Sequence, residues 1–250
     1  NVPKEQRQVK PIEKWLAPTE WHGGEGPAFC TRGVPYTTLP IGTSNVTGWG
    51  TLEKGRVLRV DLSQSNWEYL IPDPQQRGGE DLMLWYPYWE YYFSAMARNI
   101  VWASGKETGI EMHIPGEMSL ARNSAATLPV VITSREKISA RLSWTCRDNF
   151  YQQVGTGEIK VRLSAGAKEV KIAIPAGLIH GRHFLDVILN DRDGKVLDWG
   201  TAVLSVKAPV WIEKVEPGKD LFEPGEVIRL RVELGGPGAA KSDGTYEIHL

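Results

Sequence analysis

Near residue 107 the hydrophobic period of this 250-residue chain changes. From Ile110 to Val206 apolar and polar residues alternate in short runs: LPVVITS, ISARLSWTCR, GEIKVRLSA, KEVKIAIPA, GRHFLDVILND and TAVLSVKA. A period of two puts successive side chains on opposite faces of a strand, which a helix cannot accommodate. Turn residues separate the runs, and Asp191-Arg192-Asp193-Gly194 has hairpin-turn chemistry. About seven short strands in about 100 residues, with no amphipathic helix among them, predict an immunoglobulin-like β-sandwich over residues 107–208. Trp144, on an early strand, is the expected core anchor. Cys146 alternates with Leu142 and Trp144 and is expected to point inward. The Cys-Trp-Cys pattern of true immunoglobulin domains is absent.

Before the change the grammar is different. YPYWEYYFSAMARNIVWASGK, residues 86–106, concentrates aromatic residues in a chain where they are only 9% of the total. Trp89, Tyr92, Phe93, Met96, Ile100 and Val101 fall at helical spacing and predict one apolar stripe packed on a sheet. Glu90, Ser94, Arg98 and Asn99 lie largely off that stripe. Tyr91 and Trp102 fit it less well and are candidates for contact with a neighbouring domain or a ligand. Pro87 suits the first turn, and Gly105 stands where a left-handed cap would end the helix. Upstream, GRVLRVDL predicts a largely buried strand, and the long polar loop SQSNWEYLIPDPQQRGGED follows it.

After Pro209 the pattern begins again. Val227, Ile228, Leu230, Val232 and Leu234 open one strand and TYEIHL another. A lone pair of strands buries too little to be stable, so residues 209–250 are expected to be the start of a second sandwich, with the natural chain continuing past Leu250 or a partner strand completing the module.

The Pro-containing segment LPIGTSNVTGWGTLEKGRVLRVDL, the loop after it and the helix ending ARNIVWASGKE resemble the C-terminal part of class I glutamine amidotransferase-like domains, of the trehalose-utilisation type. The matching marks are Lys54-Gly55-Arg56-Val57, Tyr88-Trp89-Glu90-Tyr91-Tyr92 and Ala97 through Gly105. The resemblance implies a flavodoxin-like α/β fold with a parallel sheet for residues 1–106, and immunoglobulin-like modules after it. The expected fold is therefore α/β followed by all-β. Catalytic members carry a cysteine at a tight strand-to-helix turn and a supporting histidine. This chain has no Gly-x-Cys-x-Gly turn before residue 34, and Leu62-Ser63-Gln64-Ser65 stands where a Gly-His pair would be. Fold transfers through this resemblance; activity does not.

The formal net charge of −1 and the scattered Lys and Arg argue against a nucleic-acid partner. No apolar run approaches the roughly 18–20 residues that span a bilayer, so no direct membrane insertion is expected in this segment. Cys30 and Cys146 read as two separate thiols. Cys30 with His22 as its base, near Glu20 and Glu25, is a nucleophile candidate, set against a plain Gly-rich loop. His180 and His183 are a weak metal pair, because positions i and i+3 of a strand face opposite sides; the alternative is a turn with solvated histidines. Asp191 and Asp193, with Asp186 and Asp198, are oxygen donors for a calcium site, set against an ordinary hairpin. Trp67, Tyr69, Trp85 and Tyr86 are the candidate ligand-binding rings, since flat apolar faces match the C–H surfaces of sugars. No cofactor is expected. The expected role is a non-catalytic scaffold or recognition segment of a larger secreted or cell-surface bacterial protein, at the surface, outside the cell or in the periplasm, with a glycan or a neighbouring module as partner. The alternatives are a hydrolase or amidotransferase-like enzyme with its nucleophile elsewhere, and an assembly subunit completed by a partner strand.

Overall fold

The computed structural model describes residues 20–23, 27–33, 46–52, 54–60, 89–219, 221, 223 and 227–238. Eight strands between residues 111 and 207 form two facing sheets. They are β4 (Glu111–His113), β5 (Glu117–Ala121), β6 (Thr127–Ser134), β7 (Ile138–Asp148), β8 (Gln153–Leu163), β9 (Gly166–Ala173), β10 (Gly181–Asn190) and β11 (Val196–Lys207). One sheet has the order β4-β6-β9 and the other β5-β11-β10-β7-β8. Consecutive strands β6 and β7, and again β8 and β9, lie in opposite sheets, which is the Greek-key crossing of an immunoglobulin-like sandwich. β5 joins β11 in parallel, while the other neighbours in the sandwich run antiparallel.

Alternation drives this assembly. The buried positions of β6 are every second residue, Leu128, Val130, Ile132 and Ser134. The three aliphatic ones meet Leu142 and Cys146 of β7, Leu185, Val187 and Leu189 of β10 and Leu204 of β11 in one hydrophobic core. Trp144 packs on that core from its inner face, as expected. Its indole lies across Gly157, its cross-strand partner on β8, where a Cβ would come within 2.6 Å of the ring. A glycine is therefore required opposite this tryptophan.

Residues before the sandwich form β1 (Glu20–Gly23), α1 (Ala28–Thr31), β2 (Val46–Leu52), β3 (Gly55–Val60) and α2 (Trp89–Ala103). Here two expectations are corrected. The strands pair antiparallel, β1 with β2 and β2 with β3, instead of in parallel. Leu52 pairs with Gly55, and so short a connection makes only a hairpin, whereas parallel neighbours need a crossover of a dozen or more residues. β3 is also only partly buried, with Val57, Leu58 and Val60 half-covered.

The second correction concerns the helix. Among the described side chains of α2 the buried ones are Tyr91, Ala95, Arg98, Asn99 and Trp102, while Phe93 and Ile100 of the expected stripe are 48% and 66% exposed; the side chains of Trp89 and Tyr92 lie outside the description. The helix is turned so that an arginine faces inward. Its end matches expectation: Gly105 has φ 64°, and the Lys106 N–H donates to Val101 O at 3.1 Å, closing a Schellman turn.

Beyond the sandwich, β12 (Trp211–Pro217) and β13 (Leu230–Gly235) pair antiparallel. The TYEIHL strand expected at 245–250 lies outside the described residues.

Candidate functional site at the seam between helix and sandwich

The inward arginine has a destination. Arg98 Nη2 donates to Asp198 Oδ1 at 2.8 Å and also to Trp199 O, and its guanidinium lies 4.3 Å from the Trp199 ring centroid. Arg32, just after α1, donates to Asp198 Oδ2 at 3.1 Å and pairs with Glu111 at 3.2 Å. Backbone groups complete the shell: Met112 N donates to Oδ2 at 2.7 Å and Trp199 N to Oδ1 at 2.9 Å. A carboxylate offers about four acceptor sites. Asp198 thus has each oxygen engaged twice, and its side chain is 1% exposed.

The backbone reinforces this junction. β5 covers only the far half of β11, from Val203 onward. On the uncovered half, Thr201 N donates to Gly33 O at 2.9 Å and Thr108 Oγ1 donates to Leu197 O at 2.8 Å. Gly33 and Gly200 meet backbone to backbone, since a Cβ on Gly33 would lie 3.0 Å from Gly200 Cα, and Gly33 has φ 69°. The segment 27–33 therefore covers an edge that would otherwise be open.

A second cluster lies on the outer face of the same sheet. Arg147 Nη2 donates to Glu90 of α2 and to Asp186 of β10, each at 2.7 Å. Asp186 also accepts from Thr201 Oγ1 at 2.7 Å. Beside it, Tyr91 packs on Phe184 with ring centroids 5.4 Å apart, and Trp199 Nε1 donates to Ser94 Oγ at 2.6 Å. Burial, with the nearby Asp186 charge, pushes the Tyr91 phenol well above its usual range. An open groove of about 660 Å³ runs along this cluster.

His22 is exposed on β1 and stacks on Trp49 with centroids 4.3 Å apart. Cys30 is buried in α1, and burial pushes its thiol up to about 12. That environment holds the neutral thiol, the opposite of an activated nucleophile. Cys146 is likewise pushed up to about 12 by burial, and neither cysteine forms a disulfide. Asp191 Oδ1 accepts from Asp193 N and Lys195 N at 2.9 Å, an Asx turn closing the β10–β11 hairpin. Asp186 and Asp198, grouped with them as calcium donors, instead serve the two arginine clusters. Among the described residues no three His, Cys, Asp or Glu side chains converge as a metal site. The expected solvated histidines are corrected: His183 is buried in the core, and His180 stacks flat on Trp211 at 4.4 Å. Trp67, Tyr69, Trp85, Tyr86 and Glu25 lie outside the described residues.

Sequence reasoning missed Arg32, Arg147 and the roles of Arg98 and Asp198. The available signal was a second helical stripe, Tyr91, Ala95, Arg98, Asn99 and Trp102, in which a cation sits among large rings and small residues.

No family model matches the chain, and no curated protein matches it. Among solved structures, the CARDB domain of a Pyrococcus furiosus protein aligns at 14% identity and a TM-score of 0.30, over 39% of this chain and 89% of that one. A putative β-galactosidase from Bacteroides fragilis aligns at 17% identity and a TM-score of 0.31, over 51% of this chain and 19% of that one. A Bacteroides uniformis β-glucuronidase aligns at 15% identity and a TM-score of 0.31, over 50% and 15% respectively. Likenesses this distant say nothing of activity; the sandwich stands on its own strand order and register.

Proposed function

We propose that this chain is a non-catalytic scaffold and recognition segment of a larger secreted or cell-surface bacterial protein. In it the sandwich of residues 107–208 holds the described elements of the preceding domain, residues 1–106, in one orientation. Residues 209–250 begin a further sandwich. The supporting observation is the saturation of Asp198. A carboxylate whose oxygens each accept two hydrogen bonds, buried beneath two guanidiniums, has nothing left to offer a substrate or a metal. Its chemistry is that of a fastener. The same reading suits Cys30, whose buried thiol is held neutral. The amidotransferase-like resemblance does not enter the proposal, because the described strands of that region pair antiparallel. Recognition is assigned to glycans through Trp67, Tyr69, Trp85 and Tyr86.

Hydrogen exchange tests the scaffold. The amides of α2 and of β11 are expected to open together, and Asp198→Asn is expected to let α2 open first. Helix amides that exchange rapidly in the parent chain, indifferent to Asp198→Asn, would sink the fastener reading. For recognition, a screen with neutral oligosaccharides is expected to find a binder that Trp67→Ala and Trp85→Ala each weaken at least tenfold; equal binding by both variants dismisses those rings.

A further inference from the structure

The cations that look scattered along the sequence are gathered by the sandwich. Arg141 of β7, Lys160 and Arg162 of β8, Lys168 of β9 and Arg192 of the β10–β11 turn line one open trough of about 560 Å³. The same trough contains the carboxylates Glu158 and Asp191. Asp191 already lends its Oδ1 to the hairpin turn. The cations thus outnumber the carboxylates in a protein whose formal net charge is −1.

Stability does not account for this arrangement. Arg141 and Lys160 are direct cross-strand partners, and both are exposed. Like charges facing each other across a strand pair destabilise a sheet. Arg141 is relieved in part by Glu158, at 3.6 Å. Among the described residues no carboxylate pairs with Lys160 or Arg162. Two neighbours are held in place by polar contacts instead: Arg192 donates to Ser139 Oγ at 3.1 Å and Lys168 to Arg162 O at 2.9 Å. Arg162 in turn faces Ser139 across the strand pair. The result is a positively charged strip, with hydroxyl and carboxylate acceptors set into it.

We infer that this trough binds an acidic polysaccharide, a chain of sugars with one carboxylate per ring, less densely charged than duplex nucleic acid. Three observations select that partner. The trough has no aromatic lining, so it lacks the stacking platform that single-stranded nucleic acids use. Glu158 and Asp191 repel a densely charged polymer but accept hydrogen bonds from sugar hydroxyls. The site is open and spans three strands and a turn, which suits a segment of a chain better than one enclosed anion. The inference rests on the recognition part of the proposed function and adds a second, chemically distinct contact surface, remote in sequence from the aromatic loop.

The test is calorimetric titration of the whole chain with polygalacturonate oligomers. Binding is expected, weakening several-fold as salt rises from about 50 to about 200 mM, because released counterions contribute to it. Lys160→Glu combined with Arg162→Glu is expected to weaken it at least tenfold. Arg231→Glu, the same change of sign on exposed β13, is expected to leave it unchanged. All three positions are exposed, and thermal unfolding is the check that each variant folds. Absence of polygalacturonate binding, or equal loss in the Arg231 variant, overturns the inference. So does tighter binding of duplex DNA with the same dependence on Lys160 and Arg162. If polygalacturonate fails while a neutral oligosaccharide still binds through Trp67 and Trp85, the trough is dismissed and the recognition reading stands. If both fail, both are dismissed.

Discussion

Two arginine clusters join the helix region to the sandwich, and they differ mainly in how much water they see. At the centre of the Asp198 cluster the side chains are almost sealed, with Arg98 at 0%, Asp198 at 1% and Arg32 at 10% exposure, and only Glu111 at the rim is open. Around Asp186 the same chemistry is open, with Arg147 at 20%, Asp186 at 22% and Glu90 at 35%. A buried ion pair must be complete, because removing one member strands an unscreened charge. A half-open one can let water replace whatever is lost. The sealed cluster therefore sets geometry, while the open one adds a modest increment along a groove that solvent enters.

The comparison can be broken most directly at Asp198. Asp198→Ala leaves the buried Arg98 guanidinium, and the largely covered Arg32, without their carboxylate and is expected to cost about 3–5 kcal/mol in urea unfolding. A loss below about 1 kcal/mol would mean that the sealed cluster behaves like a surface pair. Next, Arg147→Met is expected to cost about 1–2 kcal/mol, with part of the effect removed by salt. An equal penalty at both arginine clusters would erase the distinction between them.

His183 sharpens the contrast by showing a buried ionisable group kept neutral. Burial pulls its imidazole below the usual value. Its cross-strand partner Asp148 already accepts from Phe150 N and Gln152 N. The unfolded chain then binds the proton more tightly than the folded one. Stability is complete above the unfolded value near pH 6.5 and falls as acid is added, by at most about 1.4 kcal/mol per pH unit. Denaturant midpoints measured between pH 7 and pH 5 should show this slope in the parent chain and a shallower one in His183→Leu. Smallest of all is the exposed Arg141–Glu158 pair: Glu158→Gln is expected to change stability by no more than about 0.5 kcal/mol.

The sandwich was legible because its determinants are local. Period-two runs and turn residues identify β6 to β11 directly, and the alternation of Leu142, Trp144 and Cys146 marks the inner face of β7. The helix was legible in its span and its glycine cap but not in its orientation. Hydrophobicity favoured Phe93 and Ile100, whereas the carboxylate of Asp198, a hundred residues downstream, draws Arg98 inward and turns those two outward. No windowed pattern contains such a pairing. The expected parallel sheet failed at the Leu52–Gly55 hairpin, where chain length alone decides the direction of pairing. The basic trough escaped notice for a related reason. Its five cations are spread over four separate elements, and only the register of β7 with β8 brings Arg141 beside Lys160.

The contact of Gly33 with Gly200 reaches beyond stability. Strand β11 takes one neighbour from the sandwich and, further along, another from a segment more than 160 residues earlier in the chain. Anyone wishing to excise the sandwich for crystallography or display should therefore not cut at residue 107. Such a fragment would bare an orphaned acid, an unpaired strand margin and the oily Phe184–Val203 patch, an invitation to self-association. The smallest well-behaved piece is expected to begin upstream of Pro27.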